Sequence, residues 1–271
     1  SIDPYLIHDG AELAYLAQLC NANGELTKGK YYELASDIVL NEDVLNDDFS
    51  LNGTPANVWT PIGKDKNNAF QGVFDGKNHK IEGVYIPSGD NAAFFGYTKN
   101  AKISNLSLID TYVYSCSSIA ALICDMSATD TSYVSRCYVE ASVISCSTYW
   151  TYYVAGLVNT LGEKCGIEYC YTSGQISGGA KGGLVRSMST GSTVRNCFTV
   201  MKGATAISSY DKDWVENVYS DEDLGGSFSE TPDFCSKHTI EMHTTDFATR
   251  MGEPFEYVLG NCIVNGTGDQ I

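Results

Sequence analysis

The stretch Ile167–Val185 reads IEYCYTSGQISGGAKGGLV. Its opening, IEYCYT (167–172), recurs as VSRCYV (134–139) and VRNCFT (194–199), and more loosely as ISNLSL (103–108) and VENVYS (215–220). Its end begins GGLVRSM (182–188), which matches AGLVNTL (155–161) and AALICDM (120–126), with AFFGYTK (93–99) as a looser copy. Its middle, GQISGG (174–179), matches YVYSCS (112–117) and SVISCS (142–147). Three short units therefore alternate along the chain, and repetition of this kind decides the architecture before any single residue does.

The units hold while their spacing wanders. Phe95 to Leu122 is 27 residues, Leu122 to Leu157 is 35, and Leu157 to Leu184 is 27. Cys137 to Cys170 is 33, and Cys170 to Cys197 is 27. Stacked coils joined by loops of variable length produce this signature. Each unit is too short for a helix and rich in Val, Ile, Tyr and Cys, so it reads as a strand. One coil cannot bury its own apolar side chains, whereas a stack of coils buries them and pairs every strand. A propeller blade needs a longer period and four strands. The expected fold is all-β: a right-handed parallel β-helix with short capping helices, its hand taken from the preference of parallel crossovers.

Coil ends expose unpaired strand edges and need caps. DGAELAYLAQLCNANG (9–24) carries a helical stripe of Leu13, Leu16, Ala17, Leu19 and Cys20. Asp9 is the expected N-cap with Glu12 completing a capping box, and Gly24 sits just past the end. TIEMHTTDFATRMG (239–252) reads as a second short helix, and FEYVLGNCIVNG (255–266) as a strand or a strand pair. The expected organisation is a cap over 1–30, a β-helix over 31–222 and a second cap over 223–271.

The chain of 271 residues has a formal charge of −16. Such a surface repels phosphate backbones and anionic lipid, so nucleic acid is not an expected partner. No apolar run is long enough to span a bilayer, so membrane insertion is not expected either. The acidic segment LASDIVLNEDVLNDDF (34–49) raises a calcium site through Asp43, Asp47 and Asp48, but it lacks the spacing and glycine of an EF-hand loop. The plainer reading of the acidity is solubility.

Cys137, Cys170 and Cys197 share one repeat position with Leu106 and Val218. A position that accepts Leu, Cys and Val is a buried apolar one, and free Cys packs as a small hydrophobe. The expected arrangement is a thiol ladder with rungs about 4.8 Å apart; disulfides and metal binding are the alternatives. Cys116 and Cys146 align as a second, shorter ladder. The position before the first ladder holds Asn105, Arg136, Tyr169, Asn196 and Asn217, which reads as a turn in left-handed backbone. Tyr149, Trp150, Tyr152 and Tyr153 in STYWTYY (147–153) fall where the longest repeat carries part of its extra length. Exposed aromatics there suit sugar rings or a protein partner; packing under the loop is the alternative.

With these units in view, the chain resembles the bacterial GLUG-motif proteins. AGLVNTLGEKCGIEYCYTSGQISG (155–178) and GGLVRSMSTGSTVRNCFT (182–199) match the repeat best. GKYYELASDIVLN, WTPIGKDKNNAFQGVFDGKNHKIEGVYI and AAFFGYTKNAKISNLSL resemble a segment that often precedes it. The likeness covers about 7–219, and TIEMHTTDFATRM resembles a segment common after the last repeat in those proteins. The chain departs from the motif after GLV, where the usual glycine is Asn159 or Arg186, with Cys124 at the related position. The resemblance implies a right-handed parallel β-helix in an exported or cell-surface protein, many members being adhesin-like. The motif has no catalytic residues, so none carries over, and no cofactor is expected. It also turns FDGKNHKI (74–81), where Asp75, His79 and Lys80 invite an acid–base reading, into a turn entering a coil.

The functional expectation is a non-catalytic surface or secreted module, extracellular or on the bacterial cell surface, that binds a host or dietary glycan or an extracellular protein. A polysaccharide lyase or glycoside hydrolase is the enzymatic alternative, resting on fold analogy alone. A structural spacer is the third.

Overall fold

A computed structural model describes residues 3–146, 153–209 and 214–224, then 229–231, 234–237, 242, 251, 255–258 and 261–264. The described strands form three parallel walls, as the repeat requires. Wall 1 stacks Val73–Asp75, Lys102–Ser104, Ser132–Ser135, Cys165–Glu168, the start of Thr193–Lys202, and Val215–Asp221. Wall 2 stacks Ile38–Val39, Lys80–Glu82, Ser107–Ser115, Tyr138–Ser145, Tyr171–Ser177 and the second half of Thr193–Lys202. Wall 3 stacks Phe95–Lys99, Ile123–Ser127, Val158–Leu161, Ala180–Met188 and Thr205–Ser209. The GLV units build wall 3, and the units containing the cysteine position turn the corner from wall 1 to wall 2.

That corner has a common backbone. Asn105, Arg136, Tyr169, Asn196 and Asn217 all have φ between 50° and 55°. Left-handed backbone costs an ordinary side chain about 1–2 kcal/mol and asparagine less. The turn reading of this column holds, including the two rungs where Arg and Tyr accept the strain. Two asparagines also link coils: Asn105 Nδ2 donates to Asp75 Oδ1 at 2.9 Å, and Asn217 Nδ2 to Asn196 Oδ1 at 2.9 Å.

Inside the corner, Leu106, Cys137, Cys170, Cys197 and Val218 are buried in one apolar core that runs the length of the coils. Just outside it, Tyr138, Tyr171, Phe198 and Tyr219 form a second, aromatic column. The Tyr138 and Tyr171 rings stack at 4.2 Å between centroids, and Tyr171 and Phe198 at 5.2 Å. Met242 and Met251 are buried against it, so the C-terminal segment packs here. The column was legible as an aromatic following the ladder residue in four successive units.

At the other end, β1 (Tyr5–Ile7) and β2 (Tyr31–Leu34) add two rungs to wall 1. Helix α1 (Gly10–Ala22) lies over the end of the core and buries Leu13, Leu16, Ala17 and Cys20. Asp9 caps it, accepting from the N–H of Ala11 and of Glu12 at 2.9 Å. One cap expectation changes. Glu12 reaches back to the N–H of His8, one residue beyond the N-cap. Gly24 does sit just past the end, after the extended C-cap Asn23, but it serves a close approach rather than a left-handed turn: a Cβ on Gly24 would lie 2.5 Å from the carbonyl oxygen of Ala69. Leu19 is only half-buried.

Strand pairing also passes the expected limits of the β-helix, since β1 precedes residue 31 and Phe234–Lys237 pairs in parallel with Val215–Asp221. Phe255–Val258 and Asn261–Val264 form an antiparallel pair. One register differs from the repeat alignment: Phe95 pairs with Ile123 rather than Leu122, while Ala92 pairs with Ile119. The looser copy is one residue shorter between those points, so its two aromatics slide along the wall.

Candidate ligand-binding surface

Tyr149, Trp150 and Tyr152 lie outside the described residues. Tyr153 lies inside them, in the short strand Tyr153–Ala155 that pairs with Ala180–Gly182. Its setting is built by the residues that follow the GLV units of the repeat. Cys124, Asn159 and Arg186 share one register position on wall 3, each one residue past the pairs Ile123–Val158 and Val158–Val185. Asn159 is buried, and its Nδ2 donates to the carbonyls of Ile119 at 2.8 Å and Tyr153 at 2.6 Å. The Arg186 guanidinium lies 3.2 Å from the centroid of the Tyr153 ring. The Cys124 thiol donates to the Ser118 carbonyl at 3.3 Å. A glycine could make none of these contacts. Cys124 and Asn159 tie wall 3 to the segment at Ser118 and Ile119, and Asn159 and Arg186 fix where the aromatic stretch rejoins the coil. Tyr153 itself is half-buried and packed.

The other end of that stretch corrects the expectation for Cys116 and Cys146. They are not a ladder of thiols but a disulfide, with Cα atoms 5.0 Å apart and both residues exposed. Each lies one residue beyond its wall 2 strand, Ser107–Ser115 or Tyr138–Ser145. The in-register constraint that keeps stacked side chains parallel ends there, and neighbouring rungs fall within bonding reach. The segment 147–152 is thus bracketed by a covalent clasp on wall 2 and the Asn159–Arg186 buttress on wall 3.

The first ladder stands as thiols. Cys137, Cys170 and Cys197 are buried and unbridged. The N–H of Cys137 points at Cys170 Sγ at 3.5 Å, and that of Cys170 at Cys197 Sγ at 3.3 Å. Each thiol is directed to the backbone carbonyl two residues before it, at 3.4, 3.2 and 3.0 Å respectively. Burial pushes the Cys137 and Cys170 thiols well above their ordinary range, so neither is a nucleophile near neutrality.

The acidic segment does not converge on a cation position. Asp48 accepts from the N–H of Ser50, and the Ser50 hydroxyl together with that bond lowers its pKa. The organising residue is one the sequence did not mark, Asp110. It sits at a bulge where two residues of Ser107–Ser115 face one of Tyr138–Ser145, with φ 51°. A bulge re-aims a side chain; here the carboxylate accepts from the N–H of Val44 at 2.6 Å and of Leu45 at 2.7 Å. Gln175 Nε2 reaches the carbonyl of Phe49 at 2.7 Å from two coils further on. The segment with Asp43, Asp47 and Asp48 is a strap pinned across wall 2. Among the described residues, no three His, Cys, Asp or Glu side chains group as a metal site.

In FDGKNHKI the pairing is also different from the one the sequence invites. His79 Nδ1 lies 2.9 Å from Asp37, while Asp75 accepts from the N–H of Lys77 and from Asn105. Asp37 is pulled up by burial but more strongly down by the Lys80 N–H and the His79 ring, and ends below its ordinary value. Among the described residues, neither imidazole is hydrogen-bonded to a Ser or Cys side chain.

Neither a family model nor a curated protein matches the sequence. Among solved structures, the chain is similar to one from Bacteroides ovatus titled a "putative immunoglobulin A1 protease", with a TM-score of 0.55 at 14% identity, covering 97% of this chain and 93% of that one. At that identity the likeness supports the fold alone, a parallel β-helix.

Proposed function

We propose that this chain is an exported, GLUG-like β-helix of a bacterial surface that binds a glycan or extracellular protein through the aromatic stretch 147–153, without chemistry of its own. The observation that carries the reading is the bracketing of that stretch. A disulfide holds one end, and a buried asparagine with a guanidinium-stacked tyrosine holds the other. Held ends lower the entropy lost when a loop is ordered on a ligand. A surface disulfide also fits an oxidising compartment. The reading treats the departures at Asn159 and Arg186 as loop supports rather than as drift in the repeat.

The test is a glycan array together with a panel of extracellular proteins, probed with the intact chain and with Trp150→Ala. The expected result is a ligand whose affinity falls at least tenfold in the variant, as for an aromatic hot spot. Turnover of a polysaccharide or peptide by the purified chain would replace this reading with an enzymatic one. Absence of any ligand would leave a spacer.

A further inference from the structure

Among the described residues, α1 leaves part of the N-terminal end of the coil stack uncovered. Strand β1 pairs with β2 on one side and is the terminal strand of wall 1 among the described residues. Beside it, between α1 and β1, runs a groove of about 710 Å³. Its lining includes Tyr5, Leu6, Tyr15, Leu19 and Leu26. Tyr5 is 56% exposed, Leu6 51%, Tyr15 64% and Leu26 49%. Tyr5 is already ordered by stacking on Tyr32 at 5.4 Å. An open strand edge with apolar flanks is a template for another strand.

We propose that a second copy of this chain covers this end, related by a two-fold axis through Leu6, so that β1 pairs antiparallel with the β1 of its partner. Three observations favour a copy of the same chain. The groove lining carries one acid and one base, Glu12 and Lys30, in a molecule of net charge −16. A two-fold axis can set each against the opposite charge of the partner, on a face with far less net charge than the chain as a whole. The four exposed side chains offer on the order of 400 Å² of surface, about half of the ~800 Å² per partner in a standard interface before the backbone edge is counted. Finally, Leu6 is the middle of a three-residue strand, so a self-complementary pairing places it opposite itself.

Cross-linking tests the axis. Opposed residues of an antiparallel pair have Cα atoms about 4.5–5.5 Å apart, within disulfide reach. Leu6→Cys is therefore expected to form a reducible dimer under mild oxidation. Tyr133→Cys, on an exposed residue of a wall 1 strand that is paired on both sides, is not. By sedimentation velocity, the unaltered chain is expected to dimerise with concentration, and more readily at high salt as like charges are screened. Tyr15→Asp is expected to leave a folded monomer, and Glu12→Lys with Lys30→Glu to restore what either change alone weakens. A monomer at every concentration up to about 100 μM, or equal cross-linking at both cysteine positions, would overturn the proposal. Both readouts are independent of any glycan or protein ligand, so failure here leaves the aromatic-stretch reading untouched.

Discussion

The two cysteine columns share a fold and nearly a spacing, yet their chemistry is opposite. Cys137 and Cys170 lie 33 residues apart and stay reduced; Cys116 and Cys146 lie 30 apart and are bonded. Adjacent rungs are within reach in both columns, so distance does not decide. Orientation does. Cys137 and Cys170 are flanked on both sides by paired strands, Val134–Ile167 before and Tyr138–Tyr171 after. Those pairs hold the side chains parallel and aim them into the core. Cys116 and Cys146 follow the last pair, Ser115–Ser145, on the outside. Register held on both sides keeps a thiol a packing atom, and release at the end of pairing lets it become a clasp.

The widest contrast is in reactivity. After mild reduction, iodoacetamide at pH 8 is expected to label Cys116 and Cys146 at least ~10²-fold faster than the buried thiols, because alkylation needs thiolate. Burial raises Cys20 to about 11 and Cys165 to about 12. Their thiolate fractions, and hence labelling of native protein, rise only as the pH climbs toward those values. Peptide mass spectrometry reads the result, and equal labelling at neutral pH would erase the distinction. The next effect is on stability. Cys170→Asp buries an unpaired carboxylate between two thiols and should cost about 4 kcal/mol or more, seen as loss of the cooperative urea transition. Cys116→Ser with Cys146→Ser opens a covalent loop of separation 30, and the loop-closure relation puts the loss at about 3–4 kcal/mol. Adding reductant to the unaltered chain should reproduce that shift, and a midpoint unmoved by either would show that the clasp adds nothing. The smallest effect is Cys170→Val, expected within about 1.5 kcal/mol because the ladder position already accepts Val218. A larger loss would mean that the thiol contacts to backbone matter beyond packing.

Much of the fold was readable because stacked coils repeat their side-chain requirements. The shared position of Leu106, Cys137, Cys170, Cys197 and Val218 announced a buried column, and the residue before it announced a left-handed corner. The same alignment holds the aromatic column of Tyr138, Tyr171, Phe198 and Tyr219, one residue further on. The strap was not readable. Nothing in the local run around Asp110 shows that a bulge turns its carboxylate toward Val44 and Leu45, 66 and 65 residues away. His79 found Asp37 rather than the nearer-in-sequence Asp75 for the same reason: wall stacking, not chain proximity, sets its neighbours. At the aromatic stretch, the sequence picked out the departures Cys124, Asn159 and Arg186 but not that they would converge on the segments around Ile119 and Tyr153.

The sequence by itself determined that the chain coils, which residues share a rung, and which rungs are interior, because the same environment recurs and demands the same kind of side chain. Tertiary structure alone decided that Cys116 and Cys146 bond, that Asp110 pins the strap, that Asn159 and Arg186 brace the aromatic stretch, and that β1 is the terminal strand of its wall among the described residues. Periodicity reports which residues stack. The direction a side chain takes where pairing stops, bulges or ends is set by the backbone around it.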